Sequence, residues 1–330
     1  MFSQSSQSKT TPRIAIIGAG PIGRNNVPAI LYERDEERET GHAAIKAAGV
    51  WEAFVAHSRP EGMEVLVTDR KGDLFHRAPS PETEKTARPE IDRTVRRRIL
   101  VDGAPAGSVK WGHALSSVAP VPGTKERELR FANGFKTVVD LVVGADGGRS
   151  GVRPLVSDAE VQYTGITGVE VSSGYPSRQP STRSSRRAWA TAPPWLRELV
   201  AVADRNAVYP RSLYMLPVGQ TWTHCAGVTL TGDAMNFMTP FAGKGANIAM
   251  YGAMQLGLAP ASVRNRPTGE LDAKIAEHER KLCLRAAEDA KVTEHNMKAA
   301  MFAPHGFKDH FRIFFIDIAK RFMAQHPILD

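Results

Sequence analysis

Asp233, Gly243 and Gly245 lie in the part of this sequence best suited to hold a flat ligand that carries hydroxyl groups. The stretch runs Leu230-Thr231-Gly232-Asp233-Ala234 and then, after a short interval, Pro240-Phe241-Ala242-Gly243-Lys244-Gly245-Ala246-Asn247. A carboxylate at the end of an apolar strand accepts hydrogen bonds from sugar-like hydroxyls. The two glycines free the backbone to approach a planar ring, with Pro240 and Asn247 beside them. A helix beginning near Ala246 turns its positive end toward the same spot, which suits an electron-rich ring. The plainer alternative is a turn that starts a helix and holds nothing.

Two further segments carry related chemistry. Gly18-Ala19-Gly20-Pro21-Ile22-Gly23 closes the apolar run from Arg13. Gly18 allows a tight turn, Gly20 lets the backbone approach a pyrophosphate, and Gly23 lets a following helix pack closely. Glu33 and Arg34 end the next apolar run, Ala29 to Tyr32. A carboxylate there accepts from a ribose hydroxyl pair and favours an adenosine without a 2′-phosphate. In the other segment, an apolar strand ending at Gly144 runs into Asp146-Gly147-Gly148-Arg149. That order sets a carboxylate and a turn at the carboxyl edge of a sheet, where ligands of open α/β sheets bind. Each has a bland counterpart, a glycine-rich turn for the first and a strand end with an Asx-type turn for the second.

The elements that must position these residues follow from period and punctuation. Arg13 to Gly18 and Ala29 to Tyr32 open the chain as a βαβ unit. Ala43 to Ala56 has helical spacing, with Ile45, Ala48 and Val55 toward the buried side. Met63 to Thr68 and Leu74 to His76 flank the hairpin-turn residues Asp69 to Asp73. Asp92 is a good N-cap for a helix over Ile91 to Leu100, which carries Arg93, Arg96, Arg97 and Arg98. Thr137 to Gly144 reads as one buried strand, and Ser172 to Arg187, rich in Ser, Pro and Arg, as a loop. A short helix is expected at Trp195 to Val202, with strands at Leu213 to Val218 and Val228 to Leu230. Helices are expected at Ala246 to Leu258 and Glu270 to Ala300, the latter burying Leu271, Ile275, Leu282 and Ala286. In the tail, Phe307, Phe311, Phe314, Ile318 and Phe322 recur at helical spacing among Lys308, Arg312, Lys320 and Arg321. Docking of that stripe on the protein's own body is favoured over a membrane surface.

With 330 residues, 42% hydrophobic and 24% charged, the chain has the composition of a globular protein with one large or two smaller domains. No window approaches the roughly 18 consecutive apolar residues of a membrane span, and Met1 to Arg13 lacks an apolar signal core, so a soluble cytoplasmic protein is expected. Cys225 and Cys283 lie far apart and neither belongs to a CxxC pair, so neither a disulfide framework nor a metal site is expected. A net charge of +8 and a pI near 9.6 suit nucleic acid, a membrane surface or a phosphate-bearing cofactor alike. The basic clusters at 93–98 and 178–187 carry no interleaved aromatics, which argues against nucleic acid.

In order along the chain, GAGPIG, YERD, PEIDRTVRRRIL, VVGADGGRSGVRPLV and GVTLTGDAMNFMTPFAGKGANIAM resemble the single-component FAD-dependent monooxygenases of the aromatic-hydroxylase type, the group of p-hydroxybenzoate hydroxylase. The chain is most similar to the branch of tetracycline-inactivating monooxygenases. This resemblance implies a mixed α/β and α+β fold. A Rossmann-like FAD-binding domain would be assembled from 1–62, 89–155 and 225–260, a smaller β-sheet substrate domain from 63–88 and 156–224, and C-terminal helices would span 268–330. It also implies FAD, reduced by NADPH or NADH, which activates O2 and delivers one oxygen atom to an aromatic, polyketide-like or alkaloid small molecule of secondary metabolism. By position, Glu33 would hold the adenosine ribose, Arg97 the phosphate region and Asp233 the ribityl chain. Pro240, Gly243, Gly245 and Asn247 would line the isoalloxazine, while Asp146 and Gly147 would serve both FAD and the nicotinamide. No catalytic side chain is assigned.

The pattern also has gaps. Glu33 follows Gly23 by ten positions, whereas a full crossover helix places the acidic residue about 20 beyond the glycine motif. Arg24-Asn25-Asn26-Val27-Pro28 is poor helix sequence, so the crossover is expected to be a bare loop. Other segments of the resembling proteins are missing after Arg38 and around Ser172 to Arg187. Asn236 stands where those proteins have a His, and Gly252 where they have an Asp. Two readings remain, a working flavin monooxygenase and a shortened paralogue that keeps the fold and binds flavin weakly. An NAD-dependent dehydrogenase built on the first glycine motif would leave the Asp233 to Asn247 block without a role.

Overall fold

The computed structural model describes residues 13–17, 40–58, 65–68, 74–78, 91, 93–104, 107, 109–171, 194, 208–262, 268–302 and 313–315. The chain begins with strand β1 (Ile14–Ile17), helices α1 (Thr40–Ala47) and α2 (Trp51–His57), strands β2 (Val65–Thr68) and β3 (Leu74–Ala78) and helix α3 (Arg93–Asp102). It continues through β4 (Leu115–Pro120), β5 (Arg127–Phe131), β6 (Lys136–Val139), β7 (Leu141–Gly144), β8 (Gln162–Val171), β9 (Val208–Met215) and β10 (Val228–Leu230). Helices α4 (Gly245–Ser262) and α5 (Thr268–Met301) and strand β11 (Ile313–Phe315) complete it.

Strands β1, β7 and β10 form a parallel sheet in the order β1-β7-β10. Alternation along β7 assigns its side chains to two layers. Val142 joins Leu129, Val139, Val228 and Leu230 in a core, with Leu115 and Val118 packed against it, on the side of the antiparallel β4-β5-β6 meander. Leu141 and Val143 point the other way, onto Leu256 of α4 and Leu271 and Ile275 of α5. The result is a meander, a parallel sheet and a helical layer. Gly144 permits the close approach of layers, since a Cβ there would lie 2.8 Å from Leu230 Cδ2 and from Val152 Cβ.

Among the described residues the helical layer does not extend over β1. Ile14 and Ile16 pair in register with Leu141 and Val143 and so share their face. Leu141 and Val143 are each 3% exposed, but Ile14 is 39% and Ile16 66% exposed. The apolar face therefore continues onto β1, where no helix among the described residues covers it.

Several elements depart from the sequence expectations. The helix expected over Ala43 to Ala56 is two helices, broken where Gly49 takes φ +72°. The break resets the helical phase, so Phe54 is buried in place of Ala48 and Val55, both exposed. The run Thr137 to Gly144 is divided at Asp140, with β6 pairing antiparallel to β5 and β7 parallel to β1. Arg13 pins that corner, its backbone N–H donating to Asp140 Oδ2 at 2.7 Å and its carbonyl accepting from Asp140 N at 2.9 Å. Strand β9 ends at Met215, short of Val218, and Pro217 follows. In the tail, Ile313–Phe315 is a strand paired antiparallel with β2, not part of a helix, because a free strand edge supplies pairing that local periodicity does not reveal. Helix α5 buries Leu271, Ile275, Leu282 and Ala286, as expected from its spacing. Ala29 to Tyr32, Ser172 to Arg187 and Trp195 to Val202 lie outside the described residues. Among the described residues no helix is long and apolar enough to cross a membrane.

Two half-buried histidines give the fold a pH dependence. Burial, reinforced by Lys46, lowers the pKa of His42, which sits edge-on to Trp51 and Phe54. Burial, reinforced by Lys281, does the same for His278 on α5. Both folded values lie below the ordinary 6.5, so the unfolded chain binds more protons in that range. The stability of the neutral rings is fully present above pH 6.5 and is lost as pH falls through the folded values. The melting temperature is expected to drop between pH 7.5 and 5.5, and His42→Phe, which keeps the ring contacts, should flatten that drop. An equal drop in His42→Phe and wild type would show that His42 contributes nothing to it.

Candidate functional site

Strands β1, β7 and β10 end at one carboxyl edge. Ala145 N donates to Ile17 O at 2.7 Å, and Thr231 N donates to Gly144 O at 2.9 Å. The segments leaving β7 through Asp146 and β10 through Asp233 therefore start side by side, next to the point where β1 gives way to Gly18. Gly18, Gly20, Gly23, Glu33 and Arg34 themselves lie outside the described residues.

Asp146 accepts a 2.8 Å hydrogen bond from Gly151 N through Oδ2, while its Oδ1 is buried with no partner. Gly147 takes φ +85°, a conformation that favours glycine. Gly148 passes beneath the ring of Phe237, which a Cβ would meet at 2.5 Å. Ser150 Oγ then accepts from the backbone N–H groups of Val152 and Arg153 at 3.1 and 3.0 Å, starting the short 3-10 turn Arg153–Leu155.

Arg153 links this loop to the third segment. Its guanidinium is buried, donates to Ala234 O at 3.0 Å and also donates to Gly148 O. Burial pulls its pKa below the ordinary arginine value, with Asp146 acting in the opposite direction. The sequence displays Arg153 at a fixed interval after Asp146, yet nothing in that spacing says that it straps the two loops together.

Asp233 lies on the 3-10 turn Gly232–Ala234 directly after β10 and is exposed at this edge. A second 3-10 turn, Pro240–Ala242, has Pro at its start and is closed by Gly243 at φ +68°. Gly245, the first residue of α4, has open space where a side chain would stand. Two residues further on, Asn247 is 1% exposed, and neither its Oδ1 nor its Nδ2 has a partner. An amide stranded in this way costs about 1–3 kcal/mol. Helix α5 steadies the loop, since Asn296 Nδ2 donates to Phe241 O at 3.1 Å and Lys244 pairs with Asp289 at 3.5 Å. Phe241 packs against Ile166, Met215 and Met297, joining the β8-β9 sheet to the loop through an apolar wall.

Arg97 approaches from α3. This helix shares a core with α1, α2 and Met250 of α4 through Ile45, Phe54, Ile91, Val95 and Ile99. The Arg97 guanidinium lies 5.2 Å from the centre of the Trp111 ring, and its Nε is buried with no partner. Asp146 and Asp233 are thus brought to one edge, Pro240, Gly243, Gly245 and Asn247 to one loop and helix start, and Arg97 to a helix in the same packed layer. Unpartnered atoms on Asp146, Asn247 and Arg97, with the open backbone at Gly245, fit a polar, planar, phosphate-bearing group such as FAD.

The fold is shared with FAD-containing monooxygenases of known structure. Among curated proteins the chain is 21% identical to the monooxygenase asqM of Emericella nidulans over 423 aligned positions, covering 86% of this chain and 94% of that protein. An alignment longer than the chain itself leaves wide gaps in the 330 residues, so the chain is a shortened version of that plan. Among solved structures it matches Klebsiella pneumoniae HpxO complexed with FAD and uric acid, with a TM-score of 0.67, 18% identity and 86% and 87% of the two chains covered. The tetracycline destructase Tet(51) matches with a TM-score of 0.55 and 17% identity over 83% and 82%. No family model matches the chain.

Proposed function

We propose that this chain binds FAD at the common edge of β1, β7 and β10 and acts as a flavin-dependent monooxygenase, with NADPH or NADH as reductant, O2 as co-substrate and a polycyclic aromatic, polyketide-like or alkaloid molecule as substrate. The observation that carries the reading is Asn247, a fully buried amide without a partner two residues from Gly245, whose backbone has open space beside it. FAD supplies the redox and oxygen chemistry when bound. The protein's part is to hold and shield it. Asn247 would satisfy its amide on the ring, Gly243 and Gly245 would let the backbone reach the ring, and Asp233 would accept from ribityl hydroxyls. Arg97 would face the phosphate region, and Glu33 the adenosine ribose. Asp146, held on one oxygen by Gly151, keeps the other for a ligand. The wall of Ile166, Met215, Phe241 and Met297 would keep water from the ring.

The uric acid bound in the HpxO structure supports a small planar substrate, and the fungal monooxygenase supports a place in secondary metabolism. The domain division into 1–62, 89–155 and 225–260 for FAD, 63–88 and 156–224 for substrate, and 268–330 for a C-terminal segment that is helical over Thr268–Met301 belongs to the same proposal, as does a cytoplasmic location. A second reading, a catalytically impaired paralogue that keeps the fold and holds flavin weakly, is favoured by the bare face of Ile14 and Ile16.

The test is a flavin titration. Asp233→Ala is expected to weaken FAD binding about tenfold, because a carboxylate that bonds ribityl hydroxyls is lost while its exposure limits the gain. Unchanged FAD affinity in Asp233→Ala would remove Asp233 from the site.

A further inference from the structure

Trp111 is an exposed tryptophan on a braced loop. With the Arg97 guanidinium 5.2 Å from its ring centre, the indole is still 58% exposed. Tryptophan is ordinarily buried over most of its surface. The exposure does not come from a loosely held segment. His113 Nδ1 donates to Trp111 O at 2.8 Å, and the His113 ring stands edge-on to Phe131 and Phe135 at 5.4 and 5.1 Å. Asn133 Nδ2 donates to Gly112 O at 3.2 Å, and Ala132 N donates to Ala114 O at 2.8 Å. The β5-β6 turn thus fixes the loop and presents a flat aromatic face to solvent beside a guanidinium.

We infer that Trp111 is a stacking platform for the adenine ring of the bound dinucleotide, with Arg97 on the adjoining diphosphate. The inference rests on the FAD reading above and extends it to a residue and a contact that reading does not contain. A base stacks on an indole whatever its hydrogen-bonding edge, and a neighbouring guanidinium adds charge for the phosphates. The pairing matters more in this chain than in one with a full crossover. The sequence from Gly23 to Pro28 is short and poor in helix formers, which predicts little helix dipole for the diphosphate. The adenosine diphosphate end then depends on groups elsewhere, and Arg97 with Trp111 supplies a cation and a π face together.

The experiment titrates wild type, Trp111→Phe and Trp111→Leu with ADP, FAD and FMN, reading calorimetry and tryptophan emission, with melting temperatures as a check on folding. Trp111→Leu keeps an apolar side chain at this position but offers no π face. It should lose about tenfold in affinity for ADP and FAD and bind FMN as wild type does. Trp111→Phe should stay within about threefold of wild type for all three, and ADP should quench the emission of wild type more than that of Trp111→Phe. Wild-type affinity for ADP and FAD in Trp111→Leu overturns the platform and leaves the FAD reading standing. Equal loss of FMN and FAD in Trp111→Leu also overturns it, since the residue would then act through the fold. A wild-type chain that binds neither FAD nor FMN overturns the flavin reading and the platform with it.

Discussion

Asn247→Leu is expected to raise the melting temperature of the flavin-free protein while lowering its affinity for FAD. The two side chains are close in size, so the substitution leaves packing nearly unchanged and removes two buried polar atoms that have no partner. Relieving that unmet demand should stabilise the free protein by about 1–3 kcal/mol. FAD binding should weaken about tenfold or more, because the bound ring would lose the amide that it satisfies. A purely structural Asn247 gives a different pattern, with stability changed and flavin affinity untouched. Thermal melts with and without FAD, together with a fluorescence titration, separate the two outcomes. The opposite signs make the test sharp, since a general loss of folding lowers both quantities together.

The second large effect concerns the face that β1 leaves bare. Weak or substoichiometric FAD is expected in the chain as it stands, with little substrate-stimulated NAD(P)H oxidation. Inserting about eight residues of amphipathic helix between Gly23 and Val27, apolar side toward the sheet, should raise FAD occupancy severalfold. The structural warrant is the contrast between Leu141 and Val143, both covered by α4 and α5, and their register partners Ile14 and Ile16, exposed at 39% and 66%. Covering those two isoleucines should add on the order of 2 kcal/mol of stability. The same helix would bring an aligned N-terminus to the glycine motif, where a diphosphate gains from it. Tight, stoichiometric FAD in the unmodified protein, with no gain on insertion, would show that the short crossover is sufficient and that the chain is a working enzyme.

The impaired and active readings differ in the dinucleotide end, not in the ring end. Asp233, Gly243, Gly245 and Asn247 all stand on described, well-packed elements, and Arg153 straps the Asp146 loop to the turn that carries Asp233. The residues proposed for the adenosine, Gly18 to Arg34, follow a strand whose Ile14 and Ile16 are exposed.

By itself the sequence determined the elements whose signals are local. The apolar runs of β7 and β10, each punctuated by glycine and aspartate, identified two strands and the turns after them. The apolar spacing of Leu271, Ile275, Leu282 and Ala286 identified the buried stripe of α5, and the order of motifs carried the family resemblance that the fold bears out. The candidate residues from Asp146 to Asn247 were legible for the same reason, since glycine conformations and strand-end carboxylates are written in adjacent positions.

Only the tertiary structure decided what depends on a partner distant in the chain. Asp140 divides one apolar run between two sheets because Arg13 holds it at a corner. Phe54 replaces Val55 in the core because a left-handed Gly49 resets the helix. Ile313 to Phe315 pairs with β2 because that edge is there to receive it. Arg153, Trp111 and the exposure of Ile16 likewise have no local mark, because hydrogen-bond partners and burial are settled between segments and periodicity reports only within one.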